Sequence, residues 1–367
     1  MYVFTGAYFL QLGMPLHFIL LFYGLEFGLR GFICPLGTKI LHRLGLIKGL
    51  SLSVISRILF FIGLSLAEDN LYLGFGSLVF ASLAGGIYNP FVAIVEAIYI
   101  KEDHNRGKQI SLGIIMQSLG AIIGSAGVGF IMVHIGFFAV VILVAICQIS
   151  SLFCLAPLKK QEMPKSISQK DVYKFLFSKD LKVLRRICFG EQFIIIFSYV
   201  VVPLFIYNVV GSLDHLGYLI AISILLEKLF TLYAGHSVDK YSPIRSMSFA
   251  TKSYLLVLSA YVFLPKSALS ILFAETSNKI VRNLQRSSIR ATIHRYVRQH
   301  YPNKILSFGA IWEMAFCFCE LVALPLLALA AYFIGINVFY VSCALAAFGI
   351  LIINKNLKLL SEQNAQE

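Results

Sequence analysis

Eleven long apolar runs constrain this chain more than any other feature; they cover 14–37, 48–67, 71–98, 109–133, 136–155, 188–209, 215–236, 246–264, 268–293, 305–333 and 336–353. Each approaches the roughly 20 residues that a helix needs to cross ~30 Å of hydrocarbon. A shorter apolar piece, Tyr2 to Leu10, is too short to cross alone at ~1.5 Å per residue. No basic region precedes it and no small-residue cleavage site follows, so it does not read as a cleaved signal peptide. The expected fold class is an all-α integral membrane protein.

Composition excludes other classes. With 58% hydrophobic and 13% charged residues, against about a quarter charged in soluble globular domains, the chain is not a soluble enzyme. The net charge of +13 sits in cations between the apolar runs, unlike the clustered cations of a nucleic-acid binder, so no nucleic-acid partner is expected. The seven cysteines (Cys34, Cys147, Cys154, Cys188, Cys317, Cys319 and Cys343) form no CxxC pair and read as small buried hydrophobes. Neither metal nor disulfide framework is implied.

Lys and Arg are retained on the cytoplasmic side of membrane proteins. One alternating set of connections holds 22 of the 31, the other holds only Lys266, and eight lie inside the runs. This places the C-terminus and the Lys-rich linker in the cytoplasm, as in a multi-pass protein of a bacterial cytoplasmic membrane. Within the linker, Ser168 could cap a surface-lying helix with Val172, Phe175, Leu176 and Leu184 on one side and Lys170, Lys174 and Lys182 on the other. A solvated basic tether fits equally well.

A shift of 197 positions aligns the two halves without a gap. Leu41 to Gly45 and Lys48 fall on Val238 to Ser242 and Arg245, and Tyr99 to Lys101 fall on Tyr296 to Arg298. Two six-helix units in parallel orientation are one way in which facilitator-type transporters are built. The division expected is an N-terminal bundle over 1–156, a linker over 157–187, a C-terminal bundle over 188–355 and a tail over 356–367. The shift leaves 188–197 without a counterpart, so the first helix is expected to lack its first half. The alternative splits 2–41 into two complete spans.

On these features the chain resembles the major facilitator superfamily over nearly its whole length. The family signature follows its second helix: a Gly, an Asp, then basic residues around a turn. The second half carries the better copy in Gly235, Asp239, Lys240 and Arg245; the first keeps Arg43, Gly45 and Lys48 but has Thr38 and His42 where Gly and Asp belong. Resemblance implies a latch in which Asp239 meets a helix N-terminus. The fifth family helix is glycine-rich, as are Gly120, Gly124, Gly127 and Gly129 here, which suits close packing in lipid. Gly124-Ser125 replaces the Gly-Pro often found in antiporters.

Ionisable groups inside spans pair, face water or serve function. Glu275, Lys279, Arg282, Arg286 and Arg290 recur at spacings of three and four, hence on one stripe, which Asn278, Asn283 and Gln285 widen. Resemblance turns this tenth helix toward the central cavity together with the first, fourth and seventh. The stripe reads either as a cationic site for a carboxylate or phosphate or as a structural network with Glu96, Glu191 and Glu275. Tyr88, Asn89 and Glu96 are the candidates on the fourth helix, and Glu191 represents the seventh. Arg30 with Glu313 is expected as a structural or gating pair between the second and eleventh helices.

No ATP-binding loop, HExxH or GxSxG motif occurs in the sequence. The function expected is secondary transport by alternating access, with a small organic anion as the favoured substrate and no cofactor. The partners are that solute, a coupling proton or ion, and membrane lipid; the unit is a monomer. Two alternatives stand beside it: a non-transporting scaffold or decayed paralogue, and an exporter of apolar compounds or lipids.

Overall fold

A computed structural model describes the backbone of residues 2–99, 106–154, 174, 177–178, 181–240, 243–300 and 305–366; within these, the side chains of 2–3, 93, 96–99, 106–118, 231–240, 243–244, 287, 290–300, 305–312, 358 and 360–366 fall outside the description. Every regular element among the described residues is a helix. The short α1 (Tyr2–Gln11) ends in a turn at Gly13, whose φ of 82° is open to glycine, and Pro15 precedes α2 (Leu16–Leu44). Since α2 runs unbroken for 29 residues, the split of 2–41 into two complete spans does not form.

Next come α3 (Leu46–Ser65), α4 (Leu71–Gly76), α5 (Leu78–Tyr99), α6 (Arg106–His134) and α7 (Phe137–Cys154). The Asn70 side chain caps α4 by accepting from the Tyr72 amide at 2.9 Å. In the second half, α8 (Lys182–Ile196) passes through a π-helical turn at Phe197–Val201 into α9 (Val202–Val210), so that the three form one pass. Then follow α10 (Leu213–Lys240), α11 (Pro243–Phe263), α12 (Ala268–His300), α13 (Ile305–Ile334) and α14 (Val338–Gln366). Counting α4 with α5 and α8 with α9, eleven helical passes follow α1 among the described residues, in line with the apolar runs. Six helical stretches among the described residues are long and apolar enough to cross a membrane on length and composition alone.

The structure corrects one boundary expectation. The signature does not sit in loops: Arg43 lies in the last turn of α2, Gly45 alone separates α2 from α3, and α10 continues to Lys240, which places Gly235 and Asp239 in its backbone. An apolar run marks where hydrocarbon ends, whereas a helix continues into polar sequence until a breaker stops it. At Gly45 the breaker is a φ of 82°.

The repeat reappears in the helix starts. Leu16, Leu46 and Leu71, the first residues of α2, α3 and α4, shift by 197 onto Leu213, Pro243 and Ala268, the first residues of α10, α11 and α12. The two largest helix interfaces are α2 with α13 and α6 with α10. Under the same shift these are one interface seen twice, and both join the first half of the chain to the second.

Small residues let both seams close, as expected where packing holds helices together in lipid. A Cβ on Gly24, Gly28 or Gly31 would lie 2.9, 2.4 or 2.7 Å from Pro325, Leu321 or Cys317. On the other seam a Cβ on Gly217 would lie 2.6 Å from the Ser125 carbonyl oxygen. Of the four glycines expected to pack α6, Gly129 does so; among the described residues nothing lies within 4 Å of a Cβ on Gly120, Gly124 or Gly127, and these three share a stripe turned away from α10.

The cysteine expectation is corrected in part. Cys34, Cys188, Cys317 and Cys343 are buried, but Cys147 and Cys154 are exposed on α7, which turns Phe137, Val140, Val141 and Val144 inward. An outward apolar side chain is at no disadvantage against acyl chains.

Candidate functional site

Helix α12 packs between α10 and α11 and touches α9, and its polar stripe meets all three neighbouring passes. Glu275 is buried; its carboxylate accepts from the Tyr261 hydroxyl of α11 at 2.6 Å and from Asn278 at 3.1 Å, and pairs with Lys279 at 3.2 Å. Lys279 also donates to Ser223 and to the Ile220 carbonyl of α10. Asn278 Oδ1 accepts from Tyr254 of α11 and from Ser198 of the π-helical turn. Further along, Asn283 donates to Glu227, which also pairs with its neighbour Lys228 at 2.9 Å. Gln285 donates to Thr251 at 3.3 Å. Buried polar groups are thus joined across helices, as low-dielectric surroundings demand.

Arg282 differs from its neighbours. Only 6% exposed, it stacks its guanidinium 3.8 Å above the Tyr199 ring, while its Nη1 is buried with no hydrogen-bond partner among the described residues. A desolvated cation over a ring gains roughly 2 kcal/mol from the π face, yet that contact accepts no N–H. A buried charged donor without an acceptor costs on the order of 1–3 kcal/mol or more, and an entering anion would recover that cost. Tyr199 is surrounded by protein yet 46% accessible, with the charges of Lys279, Arg282 and Arg286 within electrostatic reach. The Glu227 carboxylate is within the same reach. Arg286 is exposed one turn beyond Arg282, at about 3.6 residues per turn.

The other expected residues separate into two groups. Asn89 donates to Glu313 of α13 at 2.8 Å, and Arg30 holds both carboxylate oxygens of Glu26, one turn earlier in α2, at 2.8 and 2.9 Å. These surround the α2–α13 seam, and the buried Glu320 of α13 lies within electrostatic reach of both Arg30 and Arg282. Tyr88 lies under Arg57 of α3 at 5.0 Å and stacks on Phe91. Glu191 is buried on α8, about two turns before Tyr199. The side chains of Glu96, Asp239 and Lys240, the surroundings of Gly235, and the linker around Ser168 lie outside the described residues. Arg245, near the start of α11, is exposed. No group of three His, Cys, Asp or Glu side chains comes together among the described residues.

Sequence reasoning missed Ser198, Tyr199, Tyr254 and Tyr261. Each sits in an apolar run, where a lone hydroxyl resembles core. The one available signal was the seven-residue spacing of Tyr254 and Tyr261, which puts both hydroxyls on one face of α11.

Comparison with known proteins follows this geometry. The Major Facilitator Superfamily sequence profile matches residues 1–278, more than half of the chain. Among solved structures, the human organic anion transporter MFSD10 (TETRAN) superposes with a TM-score of 0.61 at 16% identity, covering 96% of this chain and 89% of that one. At that identity the likeness concerns the fold. No curated protein matched by sequence.

Proposed function

Since the chain belongs to the major facilitator superfamily, and is thus a multi-pass membrane transporter rather than an enzyme, we propose that it carries a small organic anion by alternating access between bundles at 1–156 and 188–355. The observation that carries this reading is the buried Arg282 Nη1 without an acceptor. An anion entering beside Tyr199 would complete its hydrogen bonding and gain from Lys279 and Arg286 nearby, with guanidinium suited to planar oxyanions. The human protein of similar fold is titled an organic anion transporter, which gives the substrate class a precedent.

Paired residues have a different role in this reading. Lys279 with Glu275, and Asn283 with Glu227, hold α12 in place, while Tyr88, Asn89 and Glu191 contribute to the path. Arg30 and Glu313 at the α2–α13 seam, with the signature residues Arg43, Gly45, Gly235, Asp239, Lys240 and Arg245, govern the switch between states. A coupling proton or ion would act with the same solute.

The test is a thermal-shift screen of organic anions on the purified full-length protein. At least one carboxylate or phosphate should raise the melting temperature of the wild type, less so for Arg282→Lys and not at all for Arg282→Ala. A wild type that no anion stabilises, with Arg282→Ala markedly less stable, would make Arg282 structural.

Orientation follows from the charge count. A cysteine replacing Lys266 should label with an impermeant thiol reagent in intact cells, while cysteines at Lys165 and Lys358 stay protected. The reverse pattern inverts the topology.

A further inference from the structure

Resting on that reading of the Arg282 site, we infer that the anion it takes carries an aromatic or otherwise flat conjugated ring, with Tyr199 as the residue that selects it. Arg282 and Tyr199 form one composite element: a buried guanidinium 3.8 Å above a phenol ring, its Nη1 without a hydrogen-bond partner among the described residues, on a tyrosine that is 46% accessible. A carboxylate held by the guanidinium leaves the rest of the ligand next to the open part of that ring. Aromatic groups prefer offset or edge-to-face contact at centroid separations of about 4.5–7 Å, a distance within reach of a ring one bond from the carboxylate.

The π-helical turn explains how Tyr199 reaches this position. Consecutive residues of an α-helix diverge by ~100°, so neighbours approach a partner helix at different angles. Yet Ser198 bonds Asn278 and Tyr199 lies under Arg282, two α12 positions one turn apart. The wider turn at Phe197–Val201 brings both side chains to α12, and such π-turns recur at functional sites. The Ser198 and Tyr254 hydroxyls lie 2.6 Å apart in one cluster around Asn278, which holds the turn next to Tyr199. Tyr199 stays 46% accessible beside the buried Arg282, so part of it remains open to a ligand.

The experiment uses purified full-length protein and measures dissociation constants for 2-naphthoate and decalin-2-carboxylate, which share charge and approximate size, and for neutral 2-naphthylmethanol. Wild type should bind naphthoate about three- to tenfold more tightly than the saturated acid, the range expected for an added aromatic contact. Binding of the neutral alcohol should be weaker than that of either acid. In Tyr199→Leu the two acids should become equal, while Tyr199→Phe should keep the preference. If Tyr199→Leu fails to fold, the wild-type preference and its retention in Tyr199→Phe decide the matter. Equal binding of both acids by the wild type, or a preference that survives Tyr199→Leu or vanishes in Tyr199→Phe, overturns the role of Tyr199. Where the acids still bind, the anion reading survives that result; if neither acid binds, the anion reading fails, and this inference with it.

Discussion

The pass formed by α4 and α5 and its repeat partner α12 occupy matching places and hold opposite chemistry. Leu78, Ala81, Ser82, Gly85, Gly86 and Asn89 of the first shift onto Glu275, Asn278, Lys279, Arg282, Asn283 and Arg286 of the second. One tie is kept in altered form. Ser82 donates to the Glu26 carbonyl of α2 at 2.8 Å, and at the shifted positions Lys279 donates to Ser223 of α10. Elsewhere the halves diverge. Where Arg282 stands on α12, Gly85 leaves room for the Arg30 side chain, whose Cδ would lie 2.9 Å from a Cβ there. The first half thus carries its cation on α2, paired with Glu26 in the same helix, and the second carries cations on α12. One scaffold copied twice has kept its helix contacts while chemistry specialised in one copy, so the repeat is evidence for fold and says little about the site.

Three paired outcomes test that contrast, in falling order of size. Gly217→Leu should cost the most, because its side chain would meet the Ser125 backbone carbonyl, which cannot rotate away. The yield of folded protein on size-exclusion chromatography should collapse, while Gly28→Ala, facing the mobile end of Leu321, should be recovered folded. If both variants behave alike, the seams are not tight in the way described.

Glu26→Gln comes next. It removes a fully buried carboxylate from Arg30, and breaking such a pair costs about 3 kcal/mol or more. The melting temperature should fall clearly, whereas Ser223→Ala at the matching position should cost about 1 kcal/mol, since Lys279 keeps Glu275 and the Ile220 carbonyl. An equal fall for the two would remove the asymmetry between halves.

Arg282→Ala should weaken anion binding by roughly ten- to a hundredfold, the scale of a hydrogen bond to a charged group. Its counterpart Gly85→Ala should leave anion affinity unchanged and alter stability by less than about 1 kcal/mol, because only a flexible Arg30 side chain must shift. Anion affinity that depends on Gly85 as strongly as on Arg282 would place the site between the halves rather than on α12.

Much of the fold was legible in the sequence because hydrophobic runs and the 100° helical period are local properties. The spans, the shift of 197 positions and the stripe on α12 need no partner to be seen. Helix ends were less legible: the runs at 14–37 and 268–293 belong to helices ending at Leu44 and His300, since helices continue past the hydrocarbon edge. The expectation for Gly120, Gly124 and Gly127 failed for a related reason, as glycine content does not say which side of a helix meets a neighbour.

The sequence by itself determined the membrane class, the facilitator fold, the repeat and which helix carries the cations. Tertiary structure alone decided what each cation meets. Lys279 finds Ser223 across 56 positions and Asn278 finds Ser198 across 80, and nothing in either segment predicts the other. Only the packed bundle separates Lys279, fastened to Glu275, from Arg282, which lies over Tyr199 with a donor unfilled. The cost of leaving a buried charge unmet depends on the groups that packing brings within hydrogen-bonding distance, and local sequence does not encode that distance.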